Sequence, residues 1–155
     1  MARKKITQIS YSYKDKGPNY DIRMEIDLDR FEKQYNKAQF VLDSMIMTDM
    51  IPYMPMTTGT FINVTKAMSA ALAGTGKVVA AAPPMGRFLY EGKVMVDEQT
   101  GSPWARKGAK KIVTNKDLQY NKSAHPKATD HWFDAAKKEH GKEWVDYVKK
   151  VAGGG

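Results

Sequence analysis

The residues that most invite a chemical reading are Gly74-Thr75-Gly76-Lys77. Glycines ahead of a lysine can cradle phosphates, because backbone N–H groups approach an anion closely where no Cβ intervenes. A complete phosphate loop also needs a glycine five positions before the second glycine, and Ser or Thr after the lysine. Ala71 and Val78 stand at those positions, and a hairpin turn accounts for the same residues. The histidines His125, His131 and His140 include no pair at the i, i+4 spacing that sets two imidazoles on one helix face, and no HExxH is present. Asp130 and Asp134 flank His131 but read as solvated carboxylates. The chain has no cysteine, which excludes disulfides, thiolate metal sites and cysteine nucleophiles. No Gly-x-Ser-x-Gly elbow offers a nucleophile, and no pair among the 17 acids is marked out for acid–base work. The expectation is a protein that is not an enzyme, with no catalytic residue, no metal ligand and no cofactor.

Charge carries more information. Between positions 106 and 127 lie seven basic residues, Arg106, Lys107, Lys110, Lys111, Lys116, Lys122 and Lys127, against one acid, Asp117. Lysines neutralise phosphates without sequence preference, and Trp104 and Tyr120 could stack on bases, so a nucleic-acid surface is one reading. No named DNA-binding motif accompanies it. A loop that docks on an acidic protein neighbour and a merely solvated loop fit the same residues. Residues 21–49 lean the other way, with seven acids against four basic residues, in a chain whose net charge is +8. Opposed acidic and basic segments allow copies to pair head to tail. The ten methionines suit either irregular core gaps or an adaptable interface.

These residues need a scaffold, and 155 residues are enough for one domain with one core. The basic N-terminus is not followed by the apolar core of a signal peptide. The longest apolar stretch, 78–85, is interrupted by Pro83 and Pro84 and falls far short of the roughly 20 residues that cross a bilayer. Residues 1–20 read as an extended arm with a strand over 6–13, where Ile9, Tyr11 and Tyr13 alternate. Asp27 is placed to cap a long helix whose apolar stripe is Leu28, Phe31, Tyr35, Ala38, Leu42, Met45 and Ile46, and Pro52 ends it. Residues 60–72 mix strand and helix formers and lean to a strand, which a turn at 74–76 would join to a second strand at 77–82. A short helix over 87–91 closed by Gly92, a strand at 94–96, a turn at 97–101 and a basic, glycine-containing loop over 104–113, with a strand as its alternative, follow. Pro126 opens the last helical region, with Gly141 as a break in it.

The predicted fold class is therefore α+β: a small antiparallel sheet packed with a long N-terminal helix and a C-terminal helix, plus an extended arm and a long loop. The domain spans 21–152, and 153–155 form a flexible glycine tail. The expected core comprises Leu28, Phe31, Tyr35, Leu42, Met45, Trp132, Phe133, Val145 and Val148.

Five stretches, in order, carry a resemblance: 43–54 (DSMIMTDMIPYM), 59–73 (GTFINVTKAMSAALA), 77–92 (KVVAAAPPMGRFLYEG), 101–108 (GSPWARKG) and 123–136 (SAHPKATDHWFDAA). Over about 26–151 the chain resembles the minor capsid proteins of siphophages and prophages of Gram-positive bacteria. The layout also looks like phage neck and tail-completion proteins, through Pro55, Thr58-Gly59, the corner Leu89-Tyr90-Glu91-Gly92, and His125-Pro126. The resemblance implies a structural virion protein of a tailed bacteriophage, assembled in the host bacterial cytoplasm and placed at the head–tail junction. It implies a homo-oligomeric ring of six or twelve copies, contacting neck proteins on the head side and the tail terminator or tail tube on the other. Passing contact with phage DNA is expected, and no membrane contact. The residues expected at the subunit interface are Tyr11, Tyr13, Tyr90, Glu91, Trp104, Arg106, Lys107, Lys110 and Lys111, with Trp104 as the anchor because Trp and Arg dominate interface energetics. The alternative is a stand-alone basic nucleic-acid-binding protein.

Overall fold

The computed structural model describes the backbone of residues 8–14 and 21–27 and the full chain from 29 to 153. Leu28, Gly154, Gly155 and the side chains of Tyr11 and Tyr13 lie outside the described residues. In chain order the elements are β1 (Gln8–Lys14), β2 (Asp21–Asp27), α1 (Asp29–Met50), a 3-10 turn (Ile51–Tyr53), α2 (Thr60–Leu72), α3 (Gly86–Glu91), β3 (Lys93–Asp97), β4 (Lys111–Asp117) and α4 (Trp132–Val151). The α+β class with long N- and C-terminal helices is borne out. Its strands form two antiparallel pairs, β1 with β2 and β3 with β4. The expected arm contributes β1, paired with β2 in a backbone register that sets position 11 opposite 24 and position 14 opposite 21. The boundary at residue 20 thus falls inside a hairpin. Asp27, expected as a helix cap, closes β2.

Helix α1 stops where Pro52 removes the next donor, and the chain tightens into the 3-10 turn. Its inner face is Ala38, Asp43, Met47 and Met50, with Leu42, Met45 and Ile46 half-buried beside them. Phe31 and Tyr35, expected in the core, are 58% and 53% exposed. Periodicity marks an apolar face but not how far a partner covers it. The chain just past α4, at Gly153, already lies against Gln34, so α4 has run out where Phe31 begins. Val145 is likewise 52% exposed, because α4 turns Trp132, Ala136 and Trp144 inward at steps of four and eight and leaves Val145 off that line. Val148 is half-buried, and Phe133 stacks on Trp144 with centroids 6.3 Å apart. Gly141, expected to break the last helix, sits inside an uninterrupted α4. The helix also starts later than Pro126, at Trp132, after turns through 125–130.

Residues 60–72, expected as a strand, are helix α2. The reason lies in a segment ten or more residues away. Thr65 and Ser69, one turn apart on the buried face, bond to the chain at 79–82: Val79 N donates to Ser69 Oγ (3.0 Å), Ser69 Oγ donates to Val79 O (2.9 Å) and Ala82 N donates to Thr65 Oγ1 (3.2 Å). Residues 77–82, expected as the second strand, run without a strand partner because helix hydroxyls satisfy their polar groups. Trp132 Nε1 adds a bond to Ala80 O at 2.8 Å. The 74–76 turn therefore joins a helix to an irregular segment. The core cluster is Met47, Met50, Tyr53, Met54, Ile62, Trp132, Ala136 and Trp144, with Trp132 edge-on to Phe61 and Tyr90. Burying an indole of that kind contributes roughly 4–6 kcal/mol from apolar area alone. Among the described residues no helix is long and apolar enough to cross a membrane.

Candidate subunit interface

The hairpin of β3 and β4 pairs Met95 with Val113, Val96 with Ile112 and Asp97 with Lys111. Its connection, 98–110, is built on one carboxylate. Asp97 has no exposed surface, yet it is covered by its own loop and not by the core. Its Oδ1 accepts from Gln99 N (2.9 Å), Thr100 N (3.2 Å) and Arg106 Nη2 (3.3 Å), and its Oδ2 from Arg106 N (3.2 Å) and Nε (3.1 Å). The Arg106 guanidinium, then the Gln99 and Arg106 amides, hold the Asp97 carboxyl well below the usual carboxylate range. Backbone bonds Asp97 N to Ser102 O and Gly101 N to Asp97 O close the first turn. Lys111 Nζ ties back to Pro103 O at 2.8 Å and lies over the Phe88 ring.

This scaffold holds Trp104 outward at 86% exposure, and Lys107, Lys110 and Lys111 are exposed on the same loop and its exit strand. Trp104 does not cover its own core. Of the expected interface residues, Trp104, Lys107, Lys110 and Lys111 are thus gathered on one loop and its exit strand. Arg106 belongs to the same loop, and its guanidinium is committed to Asp97. Tyr90 is used inside the domain: it packs edge-on to Trp132 at 4.8 Å and tilts over His131 at 5.0 Å. Burial, then the carboxylates of Asp134 and Glu91, push its phenol up. Glu91 is exposed at the end of α3, 3.8 Å from His131 Nε2, and Asp130 lies 3.3 Å from His131 Nδ1. Gly92 closes α3 with φ +67°, and a Cβ there would meet Asp130 Cβ at 2.6 Å. Tyr120 OH donates to Leu89 O, and burial raises its phenol to about 12.

The Gly74-Thr75-Gly76 turn does hold an anion, but one of the chain's own. Asp43 Oδ2 accepts from Gly74 N (2.8 Å) and Gly76 N (3.1 Å), while its Oδ1 accepts from Gln39 (2.8 Å). The histidines are occupied separately, His125 on Met54 O, His131 with φ +43° at the start of α4, and His140 beside Glu143. Among the described residues no group of three His, Asp or Glu side chains is arranged to hold a metal. Two features escaped the sequence. One is the cluster in which Lys127 and the Tyr53 hydroxyl both donate to Glu139, together holding its carboxyl low. The other is an apolar groove of about 290 Å³ between α2 and the 82–89 segment. Asp97 was legible only as part of a turn, since its partner Arg106 is nine residues on. Comparison with protein-family models, curated proteins and solved structures finds no match for the chain.

Proposed function

We propose that this chain is a structural virion protein of a tailed bacteriophage, a ring-forming neck subunit that joins head to tail and has no chemistry of its own. The observation that carries the reading is the 98–110 loop, where a buried carboxylate stiffens a connection whose most prominent side chain is an exposed indole. An isolated domain gains nothing from holding a tryptophan in water, whereas a subunit gains an interface anchor whose ordering cost is already met. The resemblance to siphophage minor capsid proteins supplies the setting: copies of the chain in a ring of six or twelve, between a head-side neck protein and the tail terminator or tail tube.

The lysines of this loop face protein neighbours in this reading, since a strongly basic channel would retard passing DNA. Cryo-electron microscopy of intact virions tests it. A ring of this chain at the head–tail junction, with the Trp104 loop against neighbouring subunits, is the expected result. Its absence from the particle overturns the reading. Lys107, Lys110 and Lys111 lining an inner channel would overturn the assignment of the basic loop. The exposed Trp104 beside Lys107 and Lys110 also favours a second reading, a stand-alone nucleic-acid-binding protein. Binding of DNA by the purified chain that falls steeply with salt would move that reading to the front.

A further inference from the structure

We propose that Trp104 of one copy seats in the apolar groove of the next, which names the contact on which the ring-subunit reading rests. The groove runs between α2, with the 55–59 loop before it, and the segment leading into α3, walled by Phe61, Ile62, Val64, Pro84, Met85 and Leu89, and no charged side chain lines it. At about 290 Å³ it is at the small end for a ligand pocket and ample for one aromatic side chain. Trp104 is the most exposed large apolar residue of the described chain and lies outside its own groove.

Charge points the same way. Lys107 and Lys110 lie on the same loop as the knob, and both are exposed. Helix α3, which contributes Leu89 to the groove wall, carries exposed Arg87 and ends in exposed Glu91, with Asp130 brought beside Glu91 through His131, so two carboxylates stand against one guanidinium there. A knob on a basic loop thus meets an apolar groove beside which the carboxylates of Glu91 and Asp130 outnumber the Arg87 guanidinium, a net opposition of charge that steers partners. Knob and groove are different patches, so the contact is heterologous and propagates from copy to copy until a ring closes.

The test uses the full-length chain in two forms, Trp104→Ala, which removes the knob, and Val64→Arg, which blocks the groove from an exposed position of α2. Met85→Glu, on the exposed rim, serves as a second block should Val64→Arg fail to fold. Sedimentation velocity over rising concentration should show assembly beyond a dimer for the wild type. Each variant alone should self-associate on the order of 30-fold or more weakly. An equimolar mixture of the two should stop at a 1:1 dimer, because one knob and one groove remain, and that dimer should loosen with added salt. Variants that assemble like the wild type overturn the pairing and leave the ring reading standing, with the groove then open to a segment of another neck protein. A mixture that stays monomeric while the wild type assembles overturns it too. A wild type that stays monomeric also overturns the pairing, and the ring reading is then decided by virion density alone.

Discussion

Replacing Asp43 by alanine removes the side chain whose hydrogen bonds tie α1 to the 74–76 turn. Its carboxylate is buried and accepts three hydrogen bonds, from Gln39, Gly74 N and Gly76 N. Hydrogen bonds to a charged group contribute about 1.5–3 kcal/mol each. Gly74 and Gly76 are exposed, so their freed amides rehydrate and each loss falls to about 1 kcal/mol. The Gln39 bond is an i, i+4 helix pair and adds a few tenths, roughly 0.2–0.5 kcal/mol. Asp43→Ala should therefore destabilise by about 2–3 kcal/mol, which lowers Tm by about 4–12 °C at this chain length. Asp43→Asn keeps an acceptor for the glycine amides and loses the charge assistance, so about 1 kcal/mol is expected. Urea unfolding followed by circular dichroism gives both values, and amide exchange at Gly74 and Gly76 reports the contact itself. If Asp43→Ala lies within about 0.5 kcal/mol of the wild type, or the glycine amides keep their protection, the clamp does not do what its geometry implies.

Further outcomes follow from the same geometry. Because the folded Asp97 carboxyl is held below its ordinary value, its stabilisation is complete above about pH 4 and is lost as pH falls through the folded value. Asp97→Asn should accordingly show a shallower fall in urea midpoint between pH 5 and pH 2.5, and a more mobile Trp104 indole N–H by 15N relaxation; an identical acid limb in both proteins would refute the assignment. Gly86→Ala puts a Cβ 2.5 Å from the carbonyl carbon and 2.9 Å from the Cα of Ala81, atoms that cannot swing aside. A loss of about 3 kcal/mol is expected, read as a lowered urea midpoint. Gly141→Ala should stabilise by about 0.5–1 kcal/mol, read as a raised urea midpoint, since the site is mid-helix and the nearest side-chain atom, Lys137 Cγ, is 3.6 Å away. A loss there would mean the helix needs glycine at that point.

Residue types and short-range spacing determined a good part of this protein. The α+β class, helix α1 with its stop at Pro52, the short helix closed by Gly92, the strand over 94–96, which the fold extends to 93–97, and the exposed basic loop with Trp104 all depend on neighbours within a turn or two. Such features are local: a proline without a donor, a glycine at positive φ, an alternation over a few residues. Tertiary structure decided the rest. Residues 60–72 had local arguments for strand and helix alike, and the hydroxyls of Thr65 and Ser69 reaching the 79–82 backbone belong only to the helical alternative. The apolar stripe of α1 was visible in sequence, yet Phe31 and Tyr35 are exposed because coverage depends on where α4 ends. The glycine turn looked like a place for an anion, and only the fold supplied one, Asp43, 31 residues back along the chain. The groove left no mark in the sequence, since its walls come from the 55–59 loop, α2 and the segment entering α3, and residues that distant meet only when the whole chain has packed.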